Sequence, residues 1–184
     1  MKLNAKQLRH LPANGAVRQL AVGPRRPIFF ILENIYDTYN IGGLFRLADA
    51  INVEKIFLCG EMETPPNSKI TKASIGTYKI VPWEYQKTAG EAAKNLQLIT
   101  NNKIKIIAVE QTKTSLPYHQ AGYHLPLALI FGNETFGILP ETLKLADQVV
   151  EIPMFGVNRS LNVIVSAAIV SYHVVMLKLE GRRH

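Results

Sequence analysis

Apolar and polar positions along this chain fall into short blocks of two kinds. Ile28 to Leu32 is an apolar run too short for a helix and rich in β-forming residues, so it predicts a buried parallel strand. Val53–Leu58, Ile104–Val109, Leu127–Phe131 and Gln148–Ile152 have the same character, and Lys79–Pro82 predicts a further short strand. Between them lie helical patterns. Ile41–Ala50 carries Leu44, Leu47 and Ala48 on one face, Ala89–Thr100 is amphipathic, and Pro140–Ala146 predicts a short helix. Val163–Leu179 is apolar on nearly every face and predicts a largely buried helix. Strands alternating with helices predict an α/β fold with a mostly parallel sheet flanked by helices.

The punctuation between the blocks is specific. Glu33–Tyr39 is a loop at the carboxyl end of the first strand, where open α/β sheets bind ligands, and Asn40 is expected to cap the helix that follows. Asn52 stands where a left-handed residue after that helix is expected. Gly60–Lys69 reads as a loop containing Pro65 and Pro66. Pro153 stops the last strand, and Gly156 is expected to turn the chain. Asn158, Arg159, Ser160 and Asn162 then precede the apolar helix, with Ser160 or Asn158 as its expected N-cap. At the other end, Gln7–Leu11 predicts a short helix before Pro12. Asn14 with Gly15 and Gly23 with Pro24 predict an otherwise irregular segment.

Charge is distributed unevenly. Of a net +7, residues 1–27 supply +6 through Lys2, Lys6, Arg9, Arg18, Arg25 and Arg26 with no acidic residue, leaving 15 basic against 14 acidic side chains in the remainder. A basic arm (residues 1–26) on a nearly neutral domain (residues 27–184) suits a polyanion such as RNA. Cys59 is the only cysteine, which excludes an intrachain disulfide and a cysteine-based zinc site, and the five histidines show no metal-ligand spacing. The segment MKLNAKQ lacks the apolar core of a signal peptide and no run matches a membrane span, so a cytoplasmic protein without membrane or metal is expected. No GxGxxG follows the first strand and no Walker lysine is present, which counts against a nucleotide enzyme using either phosphate cradle.

Three ordered stretches narrow the class: NIGGLFRLADA at residues 40–50, LIFGNETFGI at 129–138 and IPMFGVNRSLNVIVSAAIV at 152–170. Together they resemble the three signature motifs of the TrmH (SpoU) branch of the SPOUT RNA methyltransferases, over about residues 27–179. A weaker family segment matches Lys72–Thr77, with Ser74 and Gly76. The sequence departs from the pattern at Asn52, where the family usually has Gly, and at Ile164 and Ser166, where it more often has Ser and Ala. Asn is the best non-Gly residue for that left-handed position, and Ile164 and Ser166, which lie past Ser160 and Asn162, imply local repacking rather than lost activity.

The resemblance implies a C-terminal trefoil knot, an exception to the near-absence of threading in proteins. It implies S-adenosyl-L-methionine as methyl donor and an RNA ribose 2′-hydroxyl as acceptor. Gly132, Ile152 and Leu161 match the donor contacts, with Met154, Glu110 and Gln111 as neighbours. Arg46, Asn40, Glu134, Ser160 and Asn162 match the catalytic set. Arg46 is expected as a fork on RNA phosphate, Asn40 as its helper, Glu134 as an orienting carboxylate, and Ser160 with Asn162 as the pair shaping the loop that receives the ribose. Arg159, Lys6, Arg9, Arg25 and Arg26 are expected to join Arg46 in binding RNA.

The family acts as a homodimer, so an equivalent pairing is expected here, with the C-terminal helix at the interface. The short arm and the absence of a long tail after Leu179 favour tRNA over rRNA as substrate. The alternative is a non-catalytic RNA-binding protein of the same fold; the intact set of Asn40, Arg46, Glu134, Ser160 and Asn162 counts against it.

Overall fold

The computed structural model describes residues 2–12 and 23–180. Seven strands form one sheet: β1 (Arg26–Glu33), β2 (Val53–Cys59), β3 (Trp83–Gln86), β4 (Lys105–Val109), β5 (Leu116–Pro117), β6 (Leu127–Phe131) and β7 (Gln148–Glu151). Their order is β3-β2-β1-β6-β4-β7-β5, and every pairing between these strands is parallel. Six α-helices accompany them among the described residues: α1 (Ala5–Arg9), α2 (Thr38–Ala50), α3 (Ser68–Ser74), α4 (Ala89–Ile99), α5 (Pro140–Leu143) and α6 (Val163–Glu180).

The continuous apolar runs are explained by burial on both faces. Phe30 and Leu32 of β1 join Leu129 and Phe131 of β6 in a core closed by α2 and α6. Phe29 and Ile31 point the other way, with Ile130, onto Ala89, Ala92, Ala93 and Leu96 of α4. The two glycines of NIGG set how closely the helices approach. A Cβ on Gly42 would lie 2.5 Å from Ala73 Cβ and 2.9 Å from Ser74 N of α3, whereas one on Gly43 would meet the Cδ1 end of Ile164 on α6.

Several expected boundaries move. The segment predicted as a strand at Lys79–Pro82 is partly a 3₁₀ turn (Thr77–Lys79), and the strand begins at Trp83. The expected loop Gly60–Lys69 already enters α3 at Ser68, capped by Asn67. The helix predicted over Pro140–Ala146 closes at Leu143, and the two-residue edge strand β5 was not legible in the pattern. Gly156 sits at a bend without a left-handed φ. Asn52 does adopt the left-handed conformation (φ 56°).

The short helix expected near the N-terminus is present, displaced by two residues. The expected Asn14–Gly15 break and Arg18 lie outside the described residues. Before them, α1 has a capping box formed by Asn4 and Gln7, and it starts two residues earlier than Gln7. Leu3, Leu8 and Leu11 are half-buried, while Lys2, Lys6 and Arg9 are exposed. Lys79 Nζ donates to the carbonyls of Arg9 (3.2 Å) and Leu11 (2.6 Å), neutralising the carboxyl end of this short helix. Gly76, at φ +91°, leaves room for the Leu8 carbonyl, which a Cβ would approach to 2.5 Å. Most of the described arm is therefore seated on the domain.

Candidate active site

The exits of β4, β6 and β7 converge on a cavity of about 490 Å³ at the carboxyl edge of the sheet. Gly132, Ile152, Leu161, Met154, Glu110 and Gln111 all line it, as do Glu134, Arg159, Ser160 and Asn162. Its size is within the usual range for a small-molecule site, roughly 300–1,000 Å³. Its apolar wall comes from Val109, Phe131, Ile152, Met154, Leu161 and Val163, and its polar rim from loop backbone and side chains.

Hydrogen bonds stiffen the cavity walls. Glu110 accepts from Gln111 N (2.8 Å) and Ile138 N (3.0 Å), tying the β4 exit to the loop after β6. The Gln111 amide donates to the Arg159 carbonyl (2.7 Å), tying the same exit to the segment between β7 and α6. Gly132 lines the cavity and also meets a constraint within the chain: a Cβ there would stand 2.4 Å from backbone atoms of Gly137 and Ile138. The loop folds back on itself, with Asn133 N and O both bonded to Gly137.

One polarised chain of hydrogen bonds joins all three motif segments. The Asn162 Oδ1 accepts from Ile164 N (2.8 Å), its Nδ2 donates to Asn40 Oδ1 (3.0 Å), and Asn40 Nδ2 donates to Glu134 Oε1 (2.8 Å). Glu134 also accepts from Tyr36 N (3.3 Å) and Asp37 N (3.4 Å). The backbone N–H groups of Tyr36 and Asp37 can only donate, so Glu134 is the accepting end of the chain. That choice orients the Asn40 amide, which in turn orients Asn162. Asn40 is only 5% exposed, so its amide depends on these partners.

Two expected caps are corrected by this geometry. Asp37, not Asn40, caps α2, accepting from Tyr39 N, and Asn40 lies inside the first turn facing Glu134. Asn162 caps α6 in place of Ser160 or Asn158, because its Oδ1 reaches Ile164 N two residues on. Asn158 instead accepts from Ser160 N (3.2 Å), shaping the exposed loop ahead of the helix.

Arg46 stands apart. It is exposed on α2, does not line the cavity, and makes no hydrogen bond or ion pair with any described residue. Arg25 is held inside the domain surface: its guanidinium donates to the carbonyls of Val53 (3.0 Å) and Ile80 (2.8 Å). The arm's Arg25 is thus a tether at the foot of β2, beside Asp49, rather than a free side chain. Arg26 opens β1, with its Nε buried and without a hydrogen-bond partner among the described residues.

Sequence reasoning missed two anchors. Asn133 Oδ1 accepts from Thr135 N and Phe136 N, and its Nδ2 donates to the Asn34 carbonyl. Its signal was available as an Asn two and three residues ahead of the turn it closes. Glu33, 2% exposed, accepts from Leu139 N (2.8 Å) and Thr142 Oγ1 (2.5 Å) at the start of α5. Burial raises its pKa against those two hydrogen bonds, which lower it. No helix among the described residues is long and apolar enough to cross a membrane, and none of their His, Cys, Asp and Glu side chains gather into a metal-sized group.

The SpoU rRNA Methylase family matches residues 27–172. The chain belongs to that family. Among curated SpoU relatives, the tRNA (guanosine(18)-2′-O)-methyltransferase of Aquifex aeolicus is 26% identical over 85% of this chain and 72% of its own. The 23S rRNA (guanosine-2′-O-)-methyltransferase RlmB of Neisseria meningitidis is 33% identical over 78% of this chain, which spans only 56% of that enzyme. The SpoU methyltransferase AviRb from Streptomyces viridochromogenes, solved in complex with AdoMet, has the same fold. Its TM-score is 0.78 at 21% identity, covering 88% of this chain and 64% of that one. The parallel sheet flanked by helices is therefore the SpoU methyltransferase fold.

Proposed function

We propose that this SpoU family protein transfers a methyl group from S-adenosyl-L-methionine to a ribose 2′-hydroxyl of RNA, with tRNA favoured over rRNA, as a cytoplasmic homodimer. The observation that carries the reading is the relay from Ile164 N through Asn162 and Asn40 to Glu134 beside the cavity. It unites residues from all three motifs in one oriented structure.

Gly132, Ile152, Met154 and Leu161, with the exits at Glu110 and Gln111, are the residues that would hold the donor. Bound there, S-adenosyl-L-methionine supplies an electrophilic methyl group. Glu134, already accepting from three donors, acts as an orienting group rather than a base. Ser160 and Asn162 shape the loop that receives the ribose. Arg46 is not the acceptor of the 2′-hydroxyl proton, because a guanidinium offers N–H donors and no acceptor. It grips an RNA phosphate and stabilises negative charge developing on the 2′-oxygen, and the proton leaves toward that phosphate.

Homodimerisation is supported by two features. Arg46 lies outside the cavity of its own chain, as it would if it served the cavity of a second copy. Helix α6 exposes Val165, Tyr172, Met176 and Leu177 although its opposite side is buried. The trefoil knot is part of the same reading. The arm, residues 1–26, is the RNA-binding extension to the domain at 27–184. Exposed Lys6 and Arg9 on the seated helix α1, Lys2 ahead of it and Arg159 at the cavity support that role.

The experiment is methyl transfer from labelled donor to separated tRNA and rRNA, followed by nuclease digestion and nucleoside analysis. A labelled 2′-O-methylnucleoside is expected, in the tRNA fraction. Label on a base, or no label with either RNA, would overturn the reading.

A further inference from the structure

Three exposed aromatic side chains lie on two neighbouring segments that hydrogen bonds lock together at the border of the cavity: the loop and first turn of α2, and the loop after β6. Tyr36 and Tyr39 are 53% and 52% exposed at the start of α2, and Phe136 is 76% exposed on the loop after β6. Asn133 Nδ2 holds the Asn34 carbonyl at 2.7 Å, and Glu134 holds the amides of Tyr36 and Asp37. Asn133 Oδ1 fixes Phe136 N at 2.9 Å. The rings are thus carried on a braced backbone, and Asn133, Glu134 and Thr135 of the same loop line the cavity.

Charge indicates what such rings would meet. Asp37 and Glu134 are the ionisable groups between them, so an RNA phosphate is disfavoured at this spot. The cation lies further along the helix. Tyr39 and Arg46 are seven residues apart and so share a face of α2, separated by about 10 Å along its axis. A strand whose phosphate sits at Arg46 can turn its bases toward the rings. Only unpaired bases offer their faces in this way, since those of a duplex are already stacked.

We infer that Tyr36, Tyr39 and Phe136 form a stacking platform for unpaired bases beside the target ribose, so that the enzyme takes its substrate in a single-stranded segment. This rests on the reading of the protein as an RNA methyltransferase. The rings are positioning residues: they hold the strand that Arg46 of the same chain grips, and they do not touch the methyl donor.

The test uses the full chain with a mixed-sequence single-stranded RNA containing 2-aminopurine, and the same strand annealed to its complement. Wild-type protein should quench 2-aminopurine emission of the single strand. Tyr36→Ala, Tyr39→Ala and Phe136→Ala should each weaken single-strand binding at least about fivefold and lose part of the quench. Tyr39→Phe should restore both. Duplex binding, S-adenosyl-L-methionine affinity by calorimetry and sedimentation should not change. Alanine variants that bind and quench within twofold of wild type would overturn the platform while leaving methyl transfer intact. Variants that alter sedimentation would overturn it by assigning the rings to contact between copies. A wild-type protein that binds no RNA would remove this proposal together with the function it rests on.

Discussion

Replacing Glu134 by Gln tests whether the relay is organised by a carboxylate or merely by a polar group. All three atoms facing Glu134 are donors: Asn40 Nδ2, Tyr36 N and Asp37 N. Glutamine keeps one acceptor oxygen and introduces an NH₂, which must face at least one of those donors. A hydrogen bond to a charged group contributes about 1.5–3 kcal/mol when shielded. Glu134 itself is exposed, so water replaces part of this, and a stability loss of about 1–2 kcal/mol is expected. For a chain of this size that lowers Tm by roughly 2–8 °C. Activity should fall much further. With the amide oxygen kept on Asn40 Nδ2 and Asp37 N, the NH₂ is turned against Tyr36 N and pushes away the loop ahead of α2, and displacing a reacting group by about 1 Å can cost on the order of 100-fold in rate. The assay pairs initial rates of labelled methyl transfer with thermal unfolding at one pH. A Gln variant that transfers within threefold of wild type would refute the oriented relay, whatever its Tm.

Gly42→Ala should destabilise by about 1–3 kcal/mol, because its Cβ meets the backbone and Cβ of α3, while Gly43→Ala should be nearly neutral, since the tip of Ile164 can turn away and helix propensity improves; urea unfolding of the pair checks this. Arg46→Ala should abolish transfer with donor affinity by calorimetry unchanged, and retained turnover would remove Arg46 from the reaction. Replacing Lys2, Lys6 and Arg9 together by Ala should reduce the slope of log affinity for RNA against log salt by about 2 to 3, provided each meets one phosphate; an unchanged slope would leave α1 without that role. The raised pKa of Glu33 means that the folded state binds its proton more readily than the unfolded chain does. Stability should therefore fall as pH rises from near 4.5 through the raised value, and stay lower at neutral pH. Glu33→Gln, whose amide can donate to Thr142 Oγ1 while accepting from Leu139 N, should flatten that part of the Tm–pH curve, and a parallel curve would refute the assignment.

Much of the fold was legible because its signals are local. Five-residue apolar runs such as Leu127–Phe131 need only be counted against helical and strand periods, and both faces of β6 are indeed buried. The strand expected at Lys79–Pro82 failed for a tertiary reason. Trp83–Gln86 pairs with Ile56–Cys59, and Thr77–Lys79 turns to form the seat of α1, which no local pattern encodes. Cap positions failed similarly: Asn40, Asn158, Ser160 and Asn162 are all competent N-caps by type, so only backbone geometry could choose among Asp37, Asn40 and their counterparts at α6.

By itself, the sequence determined the alternation of strand and helix, the basic character of the N-terminal segment, and three motif stretches of the SpoU family. Tertiary structure alone decided that these stretches meet, in what order they hydrogen-bond, and that Arg46 stays outside its own chain's cavity. The reason is range. Periodicity reports on neighbours a few residues apart, whereas Asn40 finds Glu134 across 94 residues and Asn162 across 122, separations that only the assembled sheet brings to about 3 Å.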